Sequence, residues 1–208
     1  MMRASPGALA RIAGALYLIN ILAGAFAIGY VPAAVGQDAH ANELLFRAGL
    51  AAHVLVTMTN VPLALIFYEL FKVVDRRLAL LAVLFIITAN SIEAAGITEQ
   101  LTAAKPFDVL AASFSVSTVF FGLDILILAY LILRSALVPR AIGVLLAIDG
   151  AAYVFNSYAT FLSPGFAAHL VPYILLPAPV GEGSLTLWLL LAGINVARWE
   201  RLNAEAKA

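Results

Sequence analysis

Phe120–Arg140 reads FFGLDILILAYLILRSALVPR, and its first fourteen residues contain one charged side chain, Asp124. A helix on the surface of a soluble protein alternates apolar and polar faces, whereas this run is apolar on every face. About 20 such residues cross a bilayer core. The run then ends abruptly in a basic turn, Arg134 to Arg140, with Pro139 inside it. The stretch therefore reads as a transmembrane helix with a carboxylate in its interior. Two questions follow: how many such helices there are, and what neutralises the acid.

Working outward, five further runs share this character. The expected spans lie near Arg11–Val31, Leu44–Phe71, Leu78–Leu101, Ser113–Leu133, Ala141–Leu162 and Ser184–Ala197. The intervening breaks carry turn chemistry, and the longest, SPGFAAHLVPYILLPAPVGEG, holds Pro164, Pro172, Pro177 and Pro179. Its apolar middle implies a segment folded back onto the bundle or the membrane interface. Composition agrees with this reading: of 208 residues, 63% are hydrophobic and 12% charged, against roughly half and a quarter in soluble domains. The expected fold is all-α, a polytopic six-transmembrane-helix bundle forming a single domain over residues 1–208.

Basic residues set the expected orientation. Arg3, Arg11, Lys72, Arg76, Arg77, Arg134, Arg140, Arg198, Arg201 and Lys207 fall at the two termini and the even-numbered breaks, against Arg47 and Lys105 elsewhere. By the positive-inside rule both termini face the cytoplasm, in the inner (plasma) membrane, which demands an even number of spans. The N-terminal run resembles a signal peptide, with Ala25 and Ala27 near a cleavage-like site. Its apolar length of about 20 residues exceeds a signal core and favours a first span. Twelve basic and twelve acidic residues cancel, so no net field attracts nucleic acid. The absence of cysteine excludes disulfides, thiolate nucleophiles and thiolate metal sites.

Polar residues recur inside the spans at helical spacing. His53, Thr57 and Asn60 share one face of their helix, as do Asp149, Tyr153 and Asn156; Asn90 pairs with Glu93 and Ser117 with Asp124. Such stripes can leave lipid only by facing one another or water. The expected result is a polar pocket opening outward, floored by Asp124 and Asp149, with His53 and Glu93 in its outer half and Glu182 at its mouth. An unpaired carboxylate at a helix centre costs about 2.5–3.5 kcal/mol, and no span carries Lys or Arg at its middle. Protonation, charge sharing with His53, or a bound cation remain as remedies. His53, Glu93 and Asp124 also have the donor chemistry of a zinc or iron site, although their spacing does not demand one.

Plainer roles compete with these. Asn20, Asn60, Asn90, Asn156 and Asn195 read as interhelical hydrogen-bonding groups; Trp188, Trp199, Tyr17, Tyr30 and Tyr158 read as interfacial anchors. Glu69, Asp75 and Glu200 lie beside bases at helix ends. The chain has no H-E-x-x-H, G-x-S-x-G or Walker loop, so no enzyme class is indicated and no cofactor is implied.

Three stretches carry a family resemblance: ARIAGALYLINILAG from Ala10, YLILRSALVPRAIGVLLAIDGAAY from Tyr130, and VGEGSLTLWLLLAGIN from Val180. Together they resemble an uncharacterised bacterial multi-pass membrane family, domain of unknown function 4386. The resemblance implies a six-span bacterial inner-membrane protein without an assigned activity. From the residues themselves the leading expectation is a small-solute or cation carrier, proton-linked and working as a homo-oligomer in the lipid bilayer. Its ligand- or proton-binding candidates are His53, Asn60, Glu93, Asp124, Asp149, Tyr153, Asn156 and Glu182. A structural or regulatory protein whose polar residues only clamp helices is the alternative, and an intramembrane metalloenzyme the second.

Overall fold

Capping chemistry marks where each long helix starts. The computed structural model describes residues 5–36 and 42–206, so the basic residues Arg3 and Lys207 and the loop residue His40 lie outside the described residues. Ser5 caps α1 (Pro6–Gly24) by accepting from the Ala8 amide at 3.2 Å, with Pro6 at the first helical position. The helix continues through a π-helical turn (Ala25–Tyr30) into α2 (Val31–Val35), where Pro32 lacks the amide hydrogen a regular turn would use. Asn42 caps α3 (Glu43–Phe71), and Asp75 caps α4 (Arg76–Gln100) through the Arg77 and Leu78 amides. Pro106 opens α5 (Pro106–Ser135), and Pro139 precedes α6 (Arg140–Leu162).

The proline-rich segment behaves less like a loop than its composition implies. It forms a short helix α7 (Pro164–Leu170) packed back on α6, a 3-10 turn at Tyr173–Leu175, and then α8 (Pro177–Leu191). Pro177 and Pro179 sit in the first turn of α8, where amide groups have no intrahelical acceptor and proline therefore removes nothing. The sixth long helix accordingly lies earlier than the expected Ser184–Ala197. It stops at Leu191, the chain reverses through Gly193 at φ +72°, and Asn195 caps a separate amphipathic helix α9 (Val196–Glu205). Among the described residues six helices are long and apolar enough to cross a membrane, the sixth running from Tyr173 to Leu191.

These six pack as a ring. α1 contacts α3, α3 contacts α4, α4 contacts α5, α5 contacts α6, α6 contacts α8, and α8 returns to α1. Its outer surface is apolar: Leu22, Met58, Leu84, Ile148 and Leu187 are each more than half exposed, as suits contact with lipid tails. Small residues let the helices approach. A side chain at Gly150 would begin 2.7 Å from the carbonyl oxygen of Gly122 on α5, so the α5–α6 seam is backbone against backbone.

Contacts at the termini distinguish the two ends. At one end Val196 of α9 approaches Gly7 of α1, Trp199 donates to the Leu70 carbonyl at 2.9 Å, and the Asn195 amide donates to Leu137 at 2.9 Å. The turn between α5 and α6 is therefore packed, with Leu137 and Val138 buried and Ala136 at φ +54°. Arg11, Lys72, Arg76, Arg77, Arg134, Arg140, Arg198 and Arg201 all belong to this basic end. Arg47 and Lys105 belong to the far end, where Phe46 meets Phe107 edge-on with centroids 5.9 Å apart.

Candidate functional site

The interior of the ring is filled differently along its length. Toward the basic end it is nearly solid: Leu70, Phe71, Ile125, Leu131, Ile132 and Leu146 are buried, and the gap between α1, α3, α4 and α5 measures about 30 Å³. Toward the far end lies a cavity of about 400 Å³ to which all six spans contribute. Asn20 and the π-helical turn line it from the α1 span, Asn60 from α3, Asn90 and Glu93 from α4, Phe114, Thr118 and Phe121 from α5, Tyr153 from α6, and Pro179 and Glu182 from α8. A wide turn at this point lets the α1 wall bow around the space.

Three hydrogen-bonded groups build the polar part of the wall. Asn20 donates to Asn60 at 2.8 Å, Asn60 donates to Asn90 at 2.9 Å, and Asn90 donates to the Thr57 carbonyl at 2.9 Å, joining α1, α3 and α4. Glu93 receives the Ser117 hydroxyl at 2.8 Å on Oε1 and faces His53 Nε2 at 3.1 Å on Oε2, joining α3, α4 and α5. Glu182 receives Tyr17 at 2.8 Å on Oε2 and Tyr153 at 3.0 Å on Oε1, joining α1, α6 and α8. Among the described residues, His53–Glu93 is the one basic–acidic side-chain contact between spans; the other three join residues three or four apart in the chain.

Depth follows from helix rise. Glu182 lies nine residues before the end of α8 and Asp149 nine after the start of α6, each about 14 Å from the basic end at 1.5 Å per residue. Asp124, eleven residues before the end of α5, lies about 16 Å in. These three acids therefore lie at similar distances from the basic end. Glu93 and His53 lie about 26 Å from the basic end, in the far half.

Of the expected site residues, Asn60, Glu93, Tyr153 and Glu182 line the large cavity, and His53 stands behind Glu93. Asp124 lines the narrow gap instead, and no hydrogen bond or ion pair holds it among the described residues. Asp149 is 1% exposed, packs beside Gly181 of α8, and leaves Oδ2 without a partner. Asn156 Oδ1 is likewise buried and unpartnered, so Asn156 does not join the asparagine chain. Among the described residues no three His, Asp or Glu side chains gather as a metal site.

Besides Asp124, Asp149 and Asn156, which do not line the cavity, two more positions differ from the sequence-based expectation. Glu182 is not at a mouth: α8 starts five residues before it, which carries it to mid-depth. Tyr17 is not an interfacial anchor but 3% exposed, with its hydroxyl on Glu182. Its three-residue spacing from Asn20 places both on one helix face, and that was the available signal.

Comparison with known proteins locates the chain without describing its work. A family model described as "Domain of unknown function (DUF4386)" matches residues 12–193. An uncharacterised protein of Archaeoglobus fulgidus is 24% identical over 139 residues, which cover 67% of this chain and 80% of the relative. No solved structure matches.

Proposed function

We propose, for a chain that belongs to the family described as a domain of unknown function (DUF4386), that it is a membrane carrier of a small solute or cation. The supporting observation is the central cavity: all six spans contribute, two carboxylates face it from opposite walls, and no Lys or Arg lines it among the described residues. A partly open site bounded toward the basic end by packed apolar side chains is what alternating access requires of one of its two states. Glu182 is the midplane binding group, Glu93 with His53 the group nearer the open end, and the basic end is cytoplasmic by the positive-inside rule.

The test is flux through purified protein in liposomes, with a panel of small cations and polar solutes and a pH dye trapped inside. Solute-dependent movement that falls at least about tenfold in Glu182→Gln is expected. Movement identical in wild type, Glu182→Gln and Glu93→Gln would end the reading.

A second reading draws on a different observation. All four oxygens of Glu93 and Glu182 already face partners on other spans, as a helix clamp would arrange them. A clamp predicts that the same substitutions lower thermal stability and move no solute.

A further inference from the structure

The proposed carrier reading leaves the ligand's chemistry open, and the cavity's construction narrows it. Its volume, about 400 Å³, falls in the range that accepts organic molecules and is far larger than a bare ion needs. Much of its wall is hydrocarbon, including Ile21, Ile28, Val56 and Leu175, with the rings of Phe114, Phe121 and Tyr153 on one side. A dehydrated metal ion would find too few charged oxygens there, as no trio of acidic or imidazole groups assembles among the described residues. An anion would meet two carboxylates and no base.

The two carboxylates are not equivalent. Glu93 already faces an imidazole at 3.1 Å, whereas Glu182 is held only by two neutral phenols. Each phenol supplies one hydrogen, and a carboxylate offers about four acceptor positions, so Glu182 keeps capacity for a further donor. Behind it, one helix turn from Tyr153, Asp149 adds a second acid whose Oδ2 meets no partner. A positive charge entering the cavity would meet Glu182, which lines it, whereas Asp149 stands behind the wall. Tyr153, bonded to Glu182, packs edge-on against Phe121, and the rings of Phe121 and Phe114 on the same cavity wall would hold the rest of such a molecule through cation–π and apolar contact.

Resting on the carrier reading, we infer that the cavity binds an organic cation: its single positive charge sits against Glu182, and its apolar or aromatic body lies against Phe114 and Phe121. Neither a hard metal ion nor a neutral lipid-like molecule satisfies both halves of that wall.

Equilibrium dialysis of labelled tetraphenylphosphonium against the full chain in detergent tests this. Saturable binding at one site per chain is expected, displaced by benzyltrimethylammonium and not by the neutral triphenylphosphine oxide. Glu182→Gln should weaken binding at least about tenfold, and Glu182→Asp, which keeps the charge, should restore most of it. Absence of saturable binding to wild type, equal displacement by the neutral compound, or undiminished binding in Glu182→Gln would each overturn the inference. The wild-type competition stands even if a variant fails to fold. Glu182-dependent flux of another solute without phosphonium binding would leave the carrier and remove the organic cation. Binding with these properties but no flux would leave the site and remove the carrier.

Discussion

The basic half of the ring and its far half are built from the same six helices, yet one is packed solid and the other encloses about 400 Å³. In the basic half, large side chains from neighbouring spans meet across the axis: Phe71, Leu70, Ile125, Leu131 and Ile132 are each at most 1% exposed. In the far half the inward positions carry asparagine, serine, threonine and acid side chains, which turn sideways to bond one another and leave the axis open. Apolar chains fill space because dispersion is their only reward, while polar chains in a membrane are bound first by the need for partners. The contrast shows a closed floor beneath a chamber whose largely apolar wall carries a few polar groups.

The difference can be broken most severely from the floor. Phe71→Ala should lower stability by about 2–3 kcal/mol, below aqueous core truncations because lipid is already apolar; thermal unfolding in detergent would measure it. The matching change in the chamber, Phe114→Ala, should cost under about 1 kcal/mol, since that ring faces open space. Equal losses would mean that the chamber is filled in solution.

A smaller effect is expected where the two halves meet. Gly150→Ala drives a Cβ to 2.7 Å from the Gly122 carbonyl and should cost about 1–3 kcal/mol by forcing α5 and α6 apart. Gly29→Ala, in the wall of the chamber with nothing within 4 Å of the new methyl, should be close to neutral. Melting temperatures of the pair would check the contrast.

The smallest effects belong to the chamber's polar wall. Asn60→Ala removes the middle of the Asn20–Asn60–Asn90 chain and should cost about 1 kcal/mol. Ser117→Ala removes one bond to Glu93 and should cost about 0.6 kcal/mol. A loss above about 3 kcal/mol for either would favour the helix-clamp reading over a ligand site.

Much of this was legible in the residues. Long apolar runs announce an all-α chain with six such helices, because a helix in lipid must satisfy its own backbone and be apolar throughout. Of the stripe His53–Thr57–Asn60, His53 meets Glu93 and Asn60 meets Asn90, while the Thr57 hydroxyl bonds back to the Val54 carbonyl of its own helix. The sixth span was displaced because proline reads as a breaker. That reading fails in the first helical turn, where Pro177 and Pro179 have no amide bond to lose. Tyr17 was misread because phenols at membrane interfaces and phenols bonded in an interior look identical until the neighbouring helix is placed.

The amino-acid order alone determined the class of the molecule, its apolar helices and the segregation of basic residues to one set of breaks, since these follow from transfer into lipid; the depth of Glu182 needed the helix start that only the structure shows. Tertiary structure decided which groups meet. It set Tyr17 and Tyr153 on Glu182, gave His53 and Ser117 to Glu93, left Asp149 and Asp124 without hydrogen-bond partners, and turned one half of the ring into a chamber. Those outcomes depend on how each helix is rotated against its neighbours, which is settled by contacts between residues far apart in the chain.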